Sequence, residues 1–356
     1  MLRRILPFVS PFILALVGVL LSYARAVRSV VPIQIVVPLL FAWALLAVVG
    51  LGLQRLLKDR VWVAICLDIL SCTFFFQPAT FGIVAVCMAA VMLSWCCFVF
   101  VLKRPRSARS LIPFLTGGSA LFLLLPAYVL GSTFLQVPLS PYTVQSTSRP
   151  SVSVRAVSSK PDIYYIVLDG YARSDILSED FSFDNSQFVD FLVSRGFVVP
   201  TKIQSNYPWT LMSVASTLNM DYVQDFAPVL SDSIYSWQLI PYLQHSWVRA
   251  ELEREGYETY SVATDWDMSD NRTVDHYYSP FSLQLTEFEA MLLHTSPLSI
   301  LEGPIGGVGA VRSYATHRAF IQYDFVALSE ISRLRSKPKF VFVHVLAPHP
   351  PFVFDA

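Results

Sequence analysis

A chain of 356 residues is 54% hydrophobic, 14% aromatic and only 15% charged, where an ordinary soluble domain carries about a quarter charged residues; a plain cytosolic globule is excluded. The formal net charge of zero hides two opposite halves: residues 1–135 hold 11 Lys+Arg against two acids, Asp59 and Asp68, and residues 136–356 hold 15 against 24. The positive charges of the front half lie between long apolar runs, which excludes a nucleic-acid-binding tail and reads as membrane topology signals.

A helix needs about 20 apolar residues to cross the hydrocarbon of a bilayer. Five runs qualify, at 5–23, 31–53, 61–81, 83–102 and 111–135. The third carries Asp68 and ends in Gln77-Pro78, so it reads as short or tilted. The first, preceded by Arg3 and Arg4 and followed by Ala24-Arg25-Ala26, also has the form of a cleaved signal peptide; cleavage would leave the topology unchanged. Nine Lys and Arg residues (Arg3, Arg4, Arg55, Lys58, Arg60, Lys103, Arg104, Arg106, Arg109) fall on one side of the spans and two (Arg25, Arg28) on the other. Cytoplasmic loops keep the positive charge, so everything after residue 135 is expected outside the cytoplasmic membrane, away from cytosolic ATP. All five cysteines (Cys66, Cys72, Cys87, Cys96, Cys97) lie in the runs and none in the exported half, whose core must therefore hold without disulfides. Asp68 has no basic partner inside any run. It reads either as a functional intramembrane carboxylate or as a helix-packing or water-facing one.

Residues 136–160, rich in Ser, Thr and Pro without apolar period, read as an extended tether. The chain thus divides into a transmembrane part at 1–135, a linker at 136–160 and a domain at 161–356. The domain opens on Ile163-Tyr-Tyr-Ile-Val-Leu168, a continuous β-branched and aromatic run of the kind buried on both faces of a parallel sheet. Helices are predicted at about 185–195 and 247–255, closed by Gly196 and Gly256, then a strand at 258–263, a long helix at 314–335 and a strand at 340–346. Alternating strands and helices make an α/β sandwich, whose ligands sit outside the carboxyl ends of the strands.

Two strand ends there are polar. The first gives Asp169-Gly170-Tyr171-Ala172-Arg173, where Asp169 either meets a hard cation or caps the next helix. The last gives Ala347-Pro348-His349-Pro350-Pro351-Phe352, where three prolines fix a loop that either presents His349 to a ligand or leaves it on the surface. Between them, Pro208 suits the first turn of a helix whose apolar face is Leu211, Val214, Ala215 and Leu218. Thr210 then lies in that first turn. Its hydroxyl either caps the helix or attacks a phosphorus whose oxyanions the unpaired N–H groups hold.

As a whole the chain resembles the lipoteichoic acid synthases and lipid A phosphoethanolamine transferases of the alkaline phosphatase/sulfatase superfamily, which join five spans and a tether to an exported α/β domain. Thr210-x-x-Ser213-x-x-Ser216 is similar to the nucleophile helix of the transferases, with Ser216 where they carry a cysteine. Ile163 to Asp169 is similar to their first strand, ending in a metal-binding acid, and Lys339 to Phe352 to the strand ending in a substrate-facing His followed by Pro. The resemblance implies a divalent metal, zinc or manganese, on Asp169 and Thr210, a Thr210 nucleophile, and His349 at the transferred group or leaving oxygen. It also implies a phosphoester transferase or hydrolase acting on a membrane phospholipid or envelope glycan. A sulfatase-like ester hydrolase and a non-catalytic envelope scaffold are the alternatives. The C/S-x-P-x-R motif that sulfatases convert to formylglycine does not occur. The superfamily closes its metal site with an Asp-His-Gly on a later strand, and the chain ends at Ala356, so the α/β domain is expected to be incomplete, its missing part lying beyond that residue. Asp275-His276 and Asp265-Trp266-Asp267 are weaker substitutes for that pair, with a surface loop as the plain reading of the first.

Overall fold

The computed structural model describes residues 6–57, 59–75, 105–136, 160–230, 236–296, 299, 309–310, 313–335 and 337–354. The chain divides into two compact units, one of Met1–Pro138 with Leu283–Val311, the other of Leu139–Ser282 with Arg312–Ala356.

The first unit is helical: α1 (Val9–Ala26), α2 (Val36–Leu57), α3 (Arg60–Phe75), α4 (Pro105–Phe122) and α5 (Leu124–Gln136). Among the described residues, three stretches are long and apolar enough to span a membrane, Val9–Ala26, Pro32–Leu57 and Ile112–Leu135. The run at 61–81 is described as far as residue 75 and is helical over that part, within α3, and the run at 83–102 lies outside the described residues, as do Cys87, Cys96, Cys97 and most of the linker. α1 is the inner helix, with Leu14, Val17 and Leu21 packed beside Cys72 of α3 and Ala15 beside Val63 and Leu67. α2 instead turns Val37, Leu40, Phe41, Val48 and Leu51 outward, a continuous apolar surface that water tolerates poorly and lipid accepts. Asp68 is 1% exposed and its Oδ2 accepts the Ser10 hydroxyl at 2.9 Å. It joins α3 to α1, which is the packing role. The same unit includes the short helix Glu287–His294, with a capping box at Thr286 and Glu289, whose Phe288 ring meets Tyr23 edge-on at 5.9 Å.

The second unit is built on a parallel sheet. Its strands are β1 (Ile163–Leu168), β2 (Glu258–Val262), β3 (His276–Tyr278) and β4 (Lys339–Val345), in the spatial order β1-β4-β2-β3. β4 is central and buried along its whole length, as the unbroken Phe/Val run requires of a strand covered on both faces. Its Cα register pairs Ile163 with Phe340 and Leu168 with Val345 on one side, and Glu258 with Lys339 on the other. Successive side chains point to opposite faces. Val341, Val343 and Val345 join Tyr260, Val262 and the helix Tyr314–Arg333, through Ile321, Ala327 and Ile331, in one core. Phe340, Phe342 and His344 face the other way, where Phe342 stacks on Tyr165. Lys339 anchors the start of the sheet: its buried ammonium sits 2.8 Å from Asp162 Oδ2 and donates to the Leu334 carbonyl.

The helices here are α6 (Ser174–Phe181), α7 (Ser186–Ser194), α8 (Thr210–Asn219), α9 (Ile240–Gln244), α10 (Trp247–Arg254) and α11 (Tyr314–Arg333). α7, α10 and α11 begin and end within two residues of the sequence expectation. The predicted position of Pro208 inside α8 is corrected: Trp209 is extended (φ −101°, ψ 127°), so the helix cannot reach back to the proline and starts at Thr210. The loop reading of Asp275-His276 is corrected for His276 alone. His276 opens the edge strand β3, because His276 to Tyr278 pair in register with Tyr260 to Val262, while Asp275 is an exposed bend just before it.

Candidate active site

All four strands are parallel, so their carboxyl ends share one edge of the sheet. Asp169 follows β1 directly and its N–H donates to the Val345 carbonyl at 2.9 Å, which fixes the carboxylate beside the end of β4. The helix that follows β1 is capped at Arg173, so Asp169 is not its cap. α8 reaches the same edge with its first residue. Ser213 N–H donates to the Trp209 carbonyl, which leaves the N–H groups of Thr210, Leu211 and Met212 without a helical partner. The cap position belongs to Trp209, which makes no side-chain cap bond. Thr210 Oγ1 donates instead to Asp169 Oδ1 at 3.3 Å. Residues 41 apart in sequence thereby meet in one hydrogen bond.

The other hydroxyls of the segment are committed locally. Ser205 donates to the Tyr207 carbonyl, and Ser216 donates to the Asp221 carbonyl at 2.7 Å while accepting from Asn206. Ser213, one turn after Thr210, is half-buried.

His349 lies in the loop after β4, exposed, with Ala347-Pro348 and Pro350-Pro351 both cis. A carbonyl can only accept, so the 2.6 Å contact from His349 Nδ1 to the Pro350 oxygen places a proton on Nδ1 and leaves Nε2 as the working nitrogen. The loop touches the Asp169 turn. Gly170 has φ +80°, and a Cβ there would lie 3.3 Å from both Cα and N of His349. Gly170→Ala is therefore expected to lower the melting temperature through about 1–2 kcal/mol of left-handed strain, and in addition to displace His349. Gly196→Ala separates the two effects, because φ is +87° with no atom within 4 Å of the added methyl. Both variants should melt earlier, and only Gly170→Ala should lose activity in a phosphodiesterase assay.

The structure adds a residue that sequence reading passed over. His344, inside β4 and 1% exposed, brings Nε2 to 3.3 Å from Asp169 Oδ2 and Nδ1 to 2.7 Å from Ser269 Oγ. Nε2 is close enough for charge attraction but out of line for a hydrogen bond. Burial raises the Asp169 pKa, yet the contacts with His344, the charge of His349 and the Thr210 hydroxyl outweigh it and hold the carboxyl below the usual range, so it is ionised at neutral pH. The loop after β2 completes the edge: the Trp266 ring meets His344 edge-on at 5.9 Å, and Asp265 Oδ2 lies 3.1 Å from His317 Nδ1 at the start of α11. Asp265 thus stands at the carboxyl edge. Asp275 does not, since its carboxylate accepts from the N–H and hydroxyl of Thr259 at the opposite, amino end of β2, and His276 stacks on Tyr260 at 4.4 Å.

Asp169 and Thr210 supply two oxygen donors, which suit a hard divalent cation in kind. Catalytic zinc sites use three protein ligands, and among the described residues no group of three His, Cys, Asp or Glu side chains gathers. Comparison with protein-family models, curated proteins and solved structures finds no match to this chain.

Proposed function

We propose that this chain is a membrane-anchored, metal-dependent phosphoester transferase or hydrolase, with its second unit outside the cytoplasmic membrane and of the sulfatase type. The observation that carries the reading is the Thr210–Asp169 hydrogen bond at the carboxyl edge of a parallel sheet, beneath the free N–H groups of α8. The nine-to-two bias of Lys and Arg across the spans supports the orientation, and the spans themselves favour a phospholipid head group or a lipid-linked envelope glycopolymer as substrate.

In this reading the N–H groups of α8 hold phosphoryl oxygens and Thr210 Oγ1 attacks the phosphorus. The new bond is Oγ1–P, the bond broken is P–O to the leaving group, and the hydroxyl proton passes to Asp169 Oδ1, which already accepts it. His349, pinned through Nδ1, acts as the imidazolium and gives its Nε2 proton to the leaving oxygen. Water or an acceptor hydroxyl then displaces the threonine. Asp169 and Thr210 would hold a zinc or manganese ion, which when bound lowers the pKa of the hydroxyl and neutralises phosphoryl oxygens.

Incubating the full chain in detergent with manganese and a slowly turned-over phosphodiester should leave a phosphoryl-bearing adduct on the peptide containing Thr210, read by mass spectrometry. An adduct on Ser205 or Ser213, or none at all, overturns the assignment.

A further inference from the structure

A histidine sealed inside a strand of Val and Phe costs free energy unless its nitrogens are matched to donors and acceptors. His344 has two polar neighbours, Ser269 Oγ on Nδ1 and Asp169 Oδ2 near Nε2. An ionised carboxylate offers only acceptor oxygens. The neutral ring therefore presents a donor to Asp169 only with its proton on Nε2, and Nδ1 must then accept the Ser269 hydroxyl proton. The surroundings of Ser269 suit that direction. Thr264 Oγ1, 3.2 Å away, donates its own proton to the Trp266 carbonyl at 2.8 Å and accepts from the Trp266 N–H, so the Ser269 proton has two acceptors, the same carbonyl at 3.4 Å and the ring nitrogen at 2.7 Å, and the ring is the nearer. Trp266 also covers the imidazole edge-on. On the far side of the same carboxylate, Oδ1 accepts from Thr210.

Resting on the reading of Thr210 and Asp169 given above, we infer that His344 is a positioning residue: in the Nε2–H tautomer set by Ser269 it attracts Asp169 Oδ2 electrostatically across 3.3 Å, so that Oδ1 stays turned toward Thr210. A carboxylate drawn at one oxygen resists turning the other away from the hydroxyl, which is how a buried partner orients the group that does the chemistry. Ser269, 75 residues away in sequence from His344, is the residue that sets the tautomer.

The test has an arm that needs neither metal nor substrate. The full chain is labelled with 15N-histidine, held in detergent with EDTA in mildly alkaline buffer, and compared with His344→Gln to assign the ring. The expected spectrum has His344 protonated on Nε2 and bare on Nδ1, with Ser269→Ala shifting the ring toward a tautomer mixture. Protonation on Nδ1 in the unaltered chain, or no response to Ser269→Ala, overturns the inference. In the second arm, hydrolysis of bis-p-nitrophenyl phosphate with manganese is measured for His344→Gln, whose amide N–H can reach Asp169, and for the apolar His344→Leu. Gln is expected within about 10-fold of the unaltered kcat and Leu to fall about 100-fold with KM unchanged; equal losses overturn the positioning role. The expected tautomer in a chain without phosphodiesterase activity would defeat only the functional reading, and the wrong tautomer in an active chain only this one.

Discussion

Thr210→Ala is expected to abolish phosphoester turnover while leaving the fold nearly intact. Trp209, not Thr210, occupies the cap of α8 and makes no side-chain cap bond, so the substitution removes no cap. Alanine is also the better helix former. What is lost is one hydrogen bond to a carboxylate, long at 3.3 Å and worth about 1 kcal/mol, or ~2–4 °C in melting temperature for a unit of this size. Removing a nucleophile has no such modest scale and should cost ~10³-fold or more in turnover. Ser213→Ala serves as the control: it removes a hydroxyl one turn further along the same helix and should be far milder. Melting curves and initial rates on the two full-length variants, side by side, check this. Retained activity in Thr210→Ala, or an equal loss in Ser213→Ala, would mean that the threonine only holds Asp169.

The second large effect concerns stability and pH. Asp324, in the middle of α11, is 2% exposed with no hydrogen-bond partner on Oδ1, and burial pushes its carboxyl up to about 8. A carboxyl raised above its unfolded value of 3.8 is neutral when folded at pH values where the unfolded chain has already ionised it. Its contribution is fully favourable below about 4 and is lost as pH rises toward 8. The penalty of keeping the proton by then is on the order of several kcal/mol, since each pH unit is worth about 1.4 kcal/mol. Asp324→Asn keeps the shape without the charge. It should match the unaltered chain at acid pH, melt higher at mildly alkaline pH, and flatten the dependence between. An unchanged slope in the variant would place the pH sensitivity elsewhere.

Composition and period alone determined that the front of this chain carries apolar helices and the back a parallel sheet. Burial in lipid or in a doubly covered strand demands long apolar runs, and such runs are visible without a structure: Val9–Ala26, Pro32–Leu57 and Ile112–Leu135 form helices, and Ile163–Leu168 and Lys339–Val345 form the two paired strands at the heart of the second unit. Gly196 and Gly256 marked the ends of α7 and α10 because only a residue without Cβ takes positive φ cheaply. Asp169, Thr210 and His349 were identifiable as polar residues at element ends, yet each had a local explanation at least as good in a cap or a surface loop. The sheet excluded the cap for Asp169 and Thr210 by bringing the end of β1 and the start of α8 within one hydrogen bond, and it leaves His349 exposed in its loop. The same tertiary placement put Asp265 at the carboxyl edge and Asp275 at the other, a distinction that two short acidic motifs cannot carry in sequence. His344 was invisible for the same reason. A histidine within a run of Val and Phe reads as one more core position, and what makes it matter, a carboxylate from β1 at 3.3 Å and a hydroxyl 75 residues away at 2.7 Å, exists only once three separate segments are folded against one another.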